Sequence, residues 1–417
     1  MHGFVGGSAN GLRILGMRHV KYLILGGGPS GLAVAHGLLA RGERSFVVLE
    51  KEPEAGGLCR SVEVDGAALD VGGGHFLDVK RKPVLEFLFQ FLPREAWVEH
   101  ERIARIRLHG VEVNHPLEAN LWQLGLAHQV DYLESIARSG SVSGEPLPAG
   151  FEPWVRWKFG GRLADDYMLP YNRKLWSLPL AELGTYWLEK LPSVSFRETL
   201  QSCLGKVSAG QLPAHGRFLY PQNLAHGYGE VWRRMADALG GRFQPSTPLE
   251  SIDPVTRVVN GVLRYEIAIT TVPWPAWLCA AALPEPVVGA IGLLRHVGID
   301  VDYHGSPGGT DAHWVYEPDP ALTYHRILAR ENFLNGARGY WTETNSQRSA
   351  PAVAAFRHRN PFAYPVNTLN KRQHIETIHD WARKHGIVPL GRWGAWEHIN
   401  SDVAVEQALA TAARLAA

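Results

Sequence analysis

The chain has 417 residues, 45% apolar and 20% charged, enough to bury a large core and too many for one small domain. A formal net charge of +1 provides no overall basic field of the kind that draws nucleic acid or an anionic membrane surface. The longest apolar run, around residues 274–283, is too short to span a bilayer.

Residues 1–16 read as a glycine-rich leader without the apolar stretch of a secretory signal, expected to be disordered ahead of a start at Met17. Next, "YLILGGGPSGLAVAHGLLARGERSFVVLEKE" reads as strand, tight turn, helix and strand. Gly26, Gly28 and Gly31 fit G-x-G-x-x-G: the first permits the turn, the second lets backbone approach a pyrophosphate, the third lets helix and strand pack closely. The helix N-terminus favours the phosphates, and Glu50, 19 residues after Gly31, can accept hydrogen bonds from a ribose diol.

Immediately after this acid come Lys51, the Gly56-Gly57-Leu58 run and Arg60, then "DGAALDVGGGHF". This continuation resembles the glutathione-reductase-like FAD class, which includes amine oxidases and protoporphyrinogen oxidases. The resemblance implies FAD, with Gly57, Leu58 and Arg60 along pyrophosphate and flavin. The later "YEIAITTVP" is similar to the class's returning strand and turn, which implies a cofactor contact at Thr271.

Further on, residues 83–92 and 117–138 carry apolar positions at helical spacing, with a hairpin between them in "RIRLHGVEVNHP". A Gly/Ser/Pro-rich link (138–150) precedes a mostly helical block to about 205, and residues 296–345 alternate as strands.

Four segments resemble the UDP-galactopyranose mutase family. "VGGGHF" (71–76) is similar to its glycine–histidine segment beside the flavin, implying Gly73, Gly74 and His75 there. The block around "DDYMLPYNRKLWSLP" is similar to its Tyr-x-x-Lys-x-Trp motif, with Lys190 in a later Lys-Leu-Pro. "VYEPDPALTYHRI" resembles its Tyr-x-Arg strand, implying Tyr316 and Arg326. "GRWGAWEHINSD" resembles its closing motif, implying Arg392 at the flavin and His398 and Asn400 at the sugar; "AYPVNT" is a weaker echo that adds Tyr364.

The implied activity interconverts the pyranose and furanose forms of a nucleotide-linked galactose, N5 of reduced FAD attacking the anomeric carbon as UDP leaves. Its implied partners are a nucleotide-sugar and a reductant such as NAD(P)H or a flavin reductase, with a homodimer as the expected assembly. Catalytic roles would fall to His75, Arg326 and Lys190. Tyr171 would stack on uracil and Trp176 would lie on a mobile segment closing over the nucleotide.

This sequence departs from the family at Lys190, where an arginine is usual, at His398 for a tyrosine and at Asn400 for an aspartate. Those departures leave open another nucleotide-sugar. They also leave open an FAD-dependent oxidoreductase of the amine-oxidase, protoporphyrinogen-oxidase or desaturase type, or a flavin-binding protein without chemistry.

The expected fold is α/β: a Rossmann-like FAD-binding domain (17–82, 216–280 and 367–417) interleaved with a helical substrate or lid domain (83–215) and an antiparallel sheet domain (281–366). Three scattered cysteines, Cys59, Cys203 and Cys279, suit reduced thiols in a cytoplasm, and none of the 19 histidines falls in a metal-ligand spacing, so no metal is expected.

Overall fold

The structure, a computed structural model, describes residues 17–186, 188, 194–208, 216–351 and 354–417. Its first sheet is built on the parallel strands Arg18–Leu25 and Phe46–Leu49, with Leu263–Thr270 on the other side of the first. Residues 22–25 and 46–49 are buried throughout because helices cover both faces, which explains their unbroken apolar runs. Phe243–Gln244 extends one edge, and Ile387–Pro389 pairs in parallel with Leu263–Thr270. Strands from three distant parts of the chain thus form one sheet.

The helix Pro29–Leu39 packs on the C-terminal helix Ser401–Leu415. The fit requires Gly37, where a Cβ would come within 2.6 Å of the Ala412 methyl.

A second, seven-stranded sheet runs in the order Phe356–Pro365, His296–His304, Tyr340–Asn345, Arg326–Ala329, Trp314–Tyr316, Ala104–Leu108, Val111–Asn114. The expected hairpin forms, turning through His109 (φ 52°) and Gly110 (φ 78°), but it joins this sheet instead of remaining with the helices. Its junction, Ala104–Leu108 against Trp314–Tyr316, is parallel in an otherwise antiparallel sheet.

The helix expected over 117–138 is shorter. Two 3₁₀ turns occupy Leu117–Ala119 and Leu121–Gln123, and the α-helix begins only at Leu126, after Gly125. Gly125 is a poor helix former, so it makes a natural boundary between the turns and the helix.

The helices Phe151–Leu163 and Leu169–Trp176 are joined by a π-helical turn, Ala164–Met168, and Gly160 (φ 75°) kinks the first. These interruptions aim the segment carrying Tyr171 and Trp176 across the second sheet. Among the described residues no helix is long and apolar enough to cross a membrane.

Candidate active site

A groove of about 410 Å³ runs along the C-terminal ends of the first sheet. Gly26, Gly28, Glu50, Lys51, Gly57, Leu58, Arg60, His75, Thr271 and Arg392 line it. The glycine turn is locked in place: Gly26 has φ 100°, a Cβ there would meet Thr271 Oγ1 at 2.3 Å, and that hydroxyl donates to the Leu25 carbonyl at 2.8 Å. Gly57 has φ 55°, and a Cβ there would come 3.4 Å from the Gly28 Cα, so two backbone segments meet with no side chain between them. Gly31 stands behind the groove; a Cβ there would strike the Gly26 carbonyl oxygen at 1.9 Å.

Above this cradle the helix Pro29–Leu39 presents its first turn without a side-chain cap or an acidic residue. The first residues of the helix Ser401–Leu415 also reach the groove, through Ser401 and Ala404. The uncapped start of the first helix suits a pyrophosphate. Glu50 is buried and accepts the N–H of Gly27 at 2.6 Å and of Glu52 at 2.9 Å, which fixes its carboxylate at the groove wall.

Gly73 and Gly74 pack against the second sheet just before His75. A Cβ on Gly73 (φ 87°) would strike the Glu343 carboxylate at 2.8 Å and one on Gly74 the Leu328 side chain at 2.1 Å, so both glycines serve contact between the loop and the second sheet. His75, next in the chain, does line the groove. Its Nδ1 donates to the Gly73 carbonyl at 2.9 Å, leaving Nε2 as an acceptor, and burial, then Arg392 and Arg326, pull its pKa down to about 3. It is a neutral imidazole.

A second group of residues gathers over one face of the seven-stranded sheet. Tyr316, Arg326 and Glu343 stand directly opposite one another on three adjacent strands. Arg326 pairs with the fully buried Glu343, which also accepts the Gly74 N–H at 3.0 Å, and reaches the Tyr364 hydroxyl at 3.4 Å. Burial opposes the charge, yet Glu343 and the surrounding tyrosines hold the guanidinium well above its ordinary pKa. Tyr171 packs edge-on to Tyr316 (5.5 Å) and His325 (5.9 Å). Arg392 lies over the Tyr364 ring at 5.5 Å and donates to the carbonyls of Ala363 and Ile399. His398 packs on Tyr364 at 4.9 Å.

Trp176 is 2% exposed, its Nε1 donating to Asn172 Oδ1 at 2.9 Å and its ring edge-on to Tyr364 and His398. It forms a buried wall of this group, because the helix register turns it inward. Asn400, expected at the sugar, instead lines the cofactor groove at the start of the last helix. Lys190 lies outside the described residues.

Sequence reasoning missed Glu343, which only the sheet register reveals, and the strand residues His358, Asn360 and Phe362 that line the groove on the side of the second sheet. The adjacent cation Lys174 is 1% exposed and donates to the carbonyls of Glu317 (2.7 Å) and Asp319 (2.8 Å), while burial pulls its pKa down to about 8. It fastens the helix carrying Tyr171 to the sheet.

Residues 24–92 match the model of an NAD(P)-binding Rossmann-like domain. The chain superposes on a crystal structure of reduced UDP-galactopyranose mutase with a TM-score of 0.85 at 21% identity, covering 95% of this chain and 93% of that one. It shares that fold. More distant likenesses are to a cyclohexylamine oxidase from Brevibacterium oxydans (TM-score 0.63, 15% identity, 95% and 98% covered) and a fatty acid isomerase from P. acnes (TM-score 0.64, 13% identity, 95% and 98% covered). A stretch of 53 residues, 13% of this chain, is 45% identical to an uncharacterized protein in the nifH2 3′ region of Methanothermococcus thermolithotrophicus, and the match spans half of that relative's length. The fold is that of the solved mutase, and the groove suits FAD: an uncapped helix start for the pyrophosphate, an acid for a ribose and a glycine cradle whose open space side chains would narrow.

Proposed function

We propose that the protein is an FAD-dependent nucleotide-sugar mutase that interconverts UDP-galactopyranose and UDP-galactofuranose or a close analogue. The observation that carries this reading is the cationic, aromatic wall of Arg326, Tyr171, Tyr316 and Tyr364 beside Arg392 and the His75 end of the groove. An oxidase of amines binds a cationic substrate, which guanidinium groups here would repel. A diphosphate leaving group is what they would attract.

Bound and reduced, FAD supplies a nucleophilic nitrogen to the anomeric carbon. The chain's own residues do the rest. Arg326, kept charged by Glu343, stabilises the departing diphosphate, and Lys190 supplies a second cation. Tyr171 provides a ring for the base, and Trp176 and His398 wall the sugar from water. His75, neutral at any physiological pH, offers Nε2 as an acceptor without adding charge near the flavin. Gly26, Gly28, Glu50, Lys51, Gly57, Leu58, Arg60, Thr271 and Arg392 hold the cofactor. NAD(P)H or a flavin reductase would supply the electrons, and a homodimer is the proposed assembly.

Titration of UDP into the dithionite-reduced flavoprotein, followed by tryptophan fluorescence, tests this reading. Saturable UDP binding that UDP-galactose displaces supports it. A reduced protein that ignores UDP, or an oxidised flavin bleached by an amine, would overturn it.

A further inference from the structure

A further cation, Arg102, stands beside Tyr316. Arg102 lies between the strands Trp97–Glu101 and Ala104–Leu108, with its guanidinium 4.7 Å from the Trp314 ring centroid. Its Nη2 donates to the Tyr316 hydroxyl at 2.7 Å. Trp314 and Tyr316, two apart on one strand, project from the same face as Arg326 and Glu343. His115 packs against Tyr316 with ring centroids 5.1 Å apart, and burial, then Arg102, lower its pKa to about 3, so it brings no second charge.

Two consequences follow from this arrangement. Arg102 makes no ion pair with a carboxylate among the described residues, whereas Arg326 is tied to Glu343. Its positive charge is therefore without a carboxylate partner at the end of the aromatic wall farthest, in strand order, from the groove-lining strand Phe356–Pro365. Moreover, a guanidinium only donates. With Arg102 donating to its oxygen, the Tyr316 hydroxyl must turn its own proton away from Arg102, and Tyr171 lies only 5.5 Å off, edge-on to the Tyr316 ring. Tyr316 is thus preset as a donor.

Resting on the nucleotide-sugar reading, we infer that Arg102 is a positioning residue that holds the Tyr316 hydroxyl as a dedicated donor to an anionic oxygen of the ligand. The ligand chemistry is a phosphate-type oxyanion, and Arg102, without a carboxylate partner, contributes the charge that selects it. The pair acts as a unit, because each half orients the other.

The test is a double-mutant cycle on the flavoprotein: wild type, Arg102→Gln, Tyr316→Phe and the double variant, titrated with UDP, uridine and inorganic pyrophosphate. Flavin absorbance and Tm are recorded for each. The expected result is a loss of at least tenfold in UDP affinity for either single variant, with the double variant no weaker than the worse single one. Uridine affinity should stay within about twofold, and Arg102→Lys should recover part of the loss. Arg102→Gln binding UDP like wild type, or losses that multiply in the double variant, would overturn the inference. If wild type ignores UDP but binds pyrophosphate, and Arg102→Gln does not, the oxyanion site stands while the nucleotide-sugar reading falls. If wild type binds neither, both fall.

Discussion

Arg326 and Glu343 face each other across adjacent antiparallel strands, and the same Glu343 carboxylate receives the N–H of Gly74. One buried acid therefore aims the proposed phosphate-binding cation and pins the loop that carries His75. The proposed sugar side and the cofactor side of the site share a single anchor.

Removing one member of this pair should be worse than removing both. Arg326→Ala leaves Glu343 buried without its cation, a loss of about 3–5 kcal/mol for a buried pair broken on one side. The Arg326→Met/Glu343→Leu double variant should recover much of that stability in urea unfolding, yet bind no UDP. Both should retain flavin. A double variant no more stable than Arg326→Ala would show that the pair is not the anchor described.

Trp176 gives a test of wall against flap. With 2% exposure, its truncation to alanine should cost about 3–5 kcal/mol, as for other buried large-to-small changes. A surface flap would lose little. Tm measurement of Trp176→Ala and Trp176→Phe separates the two, and an unshifted Tm for the alanine variant would place the ring outside the core.

The glycine turn admits no methyl group at Gly26 or Gly31. At Gly31 a Cβ would sit 1.9 Å from a backbone oxygen, so Gly31→Ala must push the helix from the sheet at a cost of about 1–3 kcal/mol. The expected outcome is protein purified with little flavin absorbance. Gly42, by contrast, has φ 82° with nothing within 4 Å of a Cβ, so Gly42→Ala should lose stability through backbone strain alone and keep full flavin.

Asp70 lies beneath the loop leading to His75, with Ser61 (2.6 Å) and Tyr220 (3.0 Å) donating to it. Burial pushes its carboxyl from the ordinary 3.8 up to about 7. The folded state then holds more protons than the unfolded chain between those values, so the stability from Asp70 falls as pH rises from about 4 to 7 and is level above. Asp70→Asn cannot ionise, so the wild type's Tm relative to the variant should decline across that window. Glu118, also raised by burial to about 7, is common to both proteins and cancels. A constant Tm difference from pH 4 to 8 would contradict the assignment.

The parts of the site that the sequence made legible are those fixed by short-range geometry. Gly26, Gly28, Gly31 and Glu50 lie within one strand–helix–strand unit, where the spacing itself sets the chemistry. Glu343, Arg102 and Asn360 were not legible, because their position comes from the register of strands far apart in the chain. "YWTETN" alternates like any strand, and nothing in it says which carboxylate meets an arginine. Trp176 illustrates the same limit: its neighbours named the motif, but the π turn and the kink at Gly160 set the direction of the helix that buries it.

The most direct test of the central claim is conversion of UDP-galactofuranose to UDP-galactopyranose, followed by chromatography with and without dithionite. The account predicts turnover by the reduced flavoprotein alone, abolished in Arg326→Ala with flavin still bound. No turnover by reduced protein that carries its full complement of flavin, together with substrate-driven bleaching of the oxidised form, would contradict it.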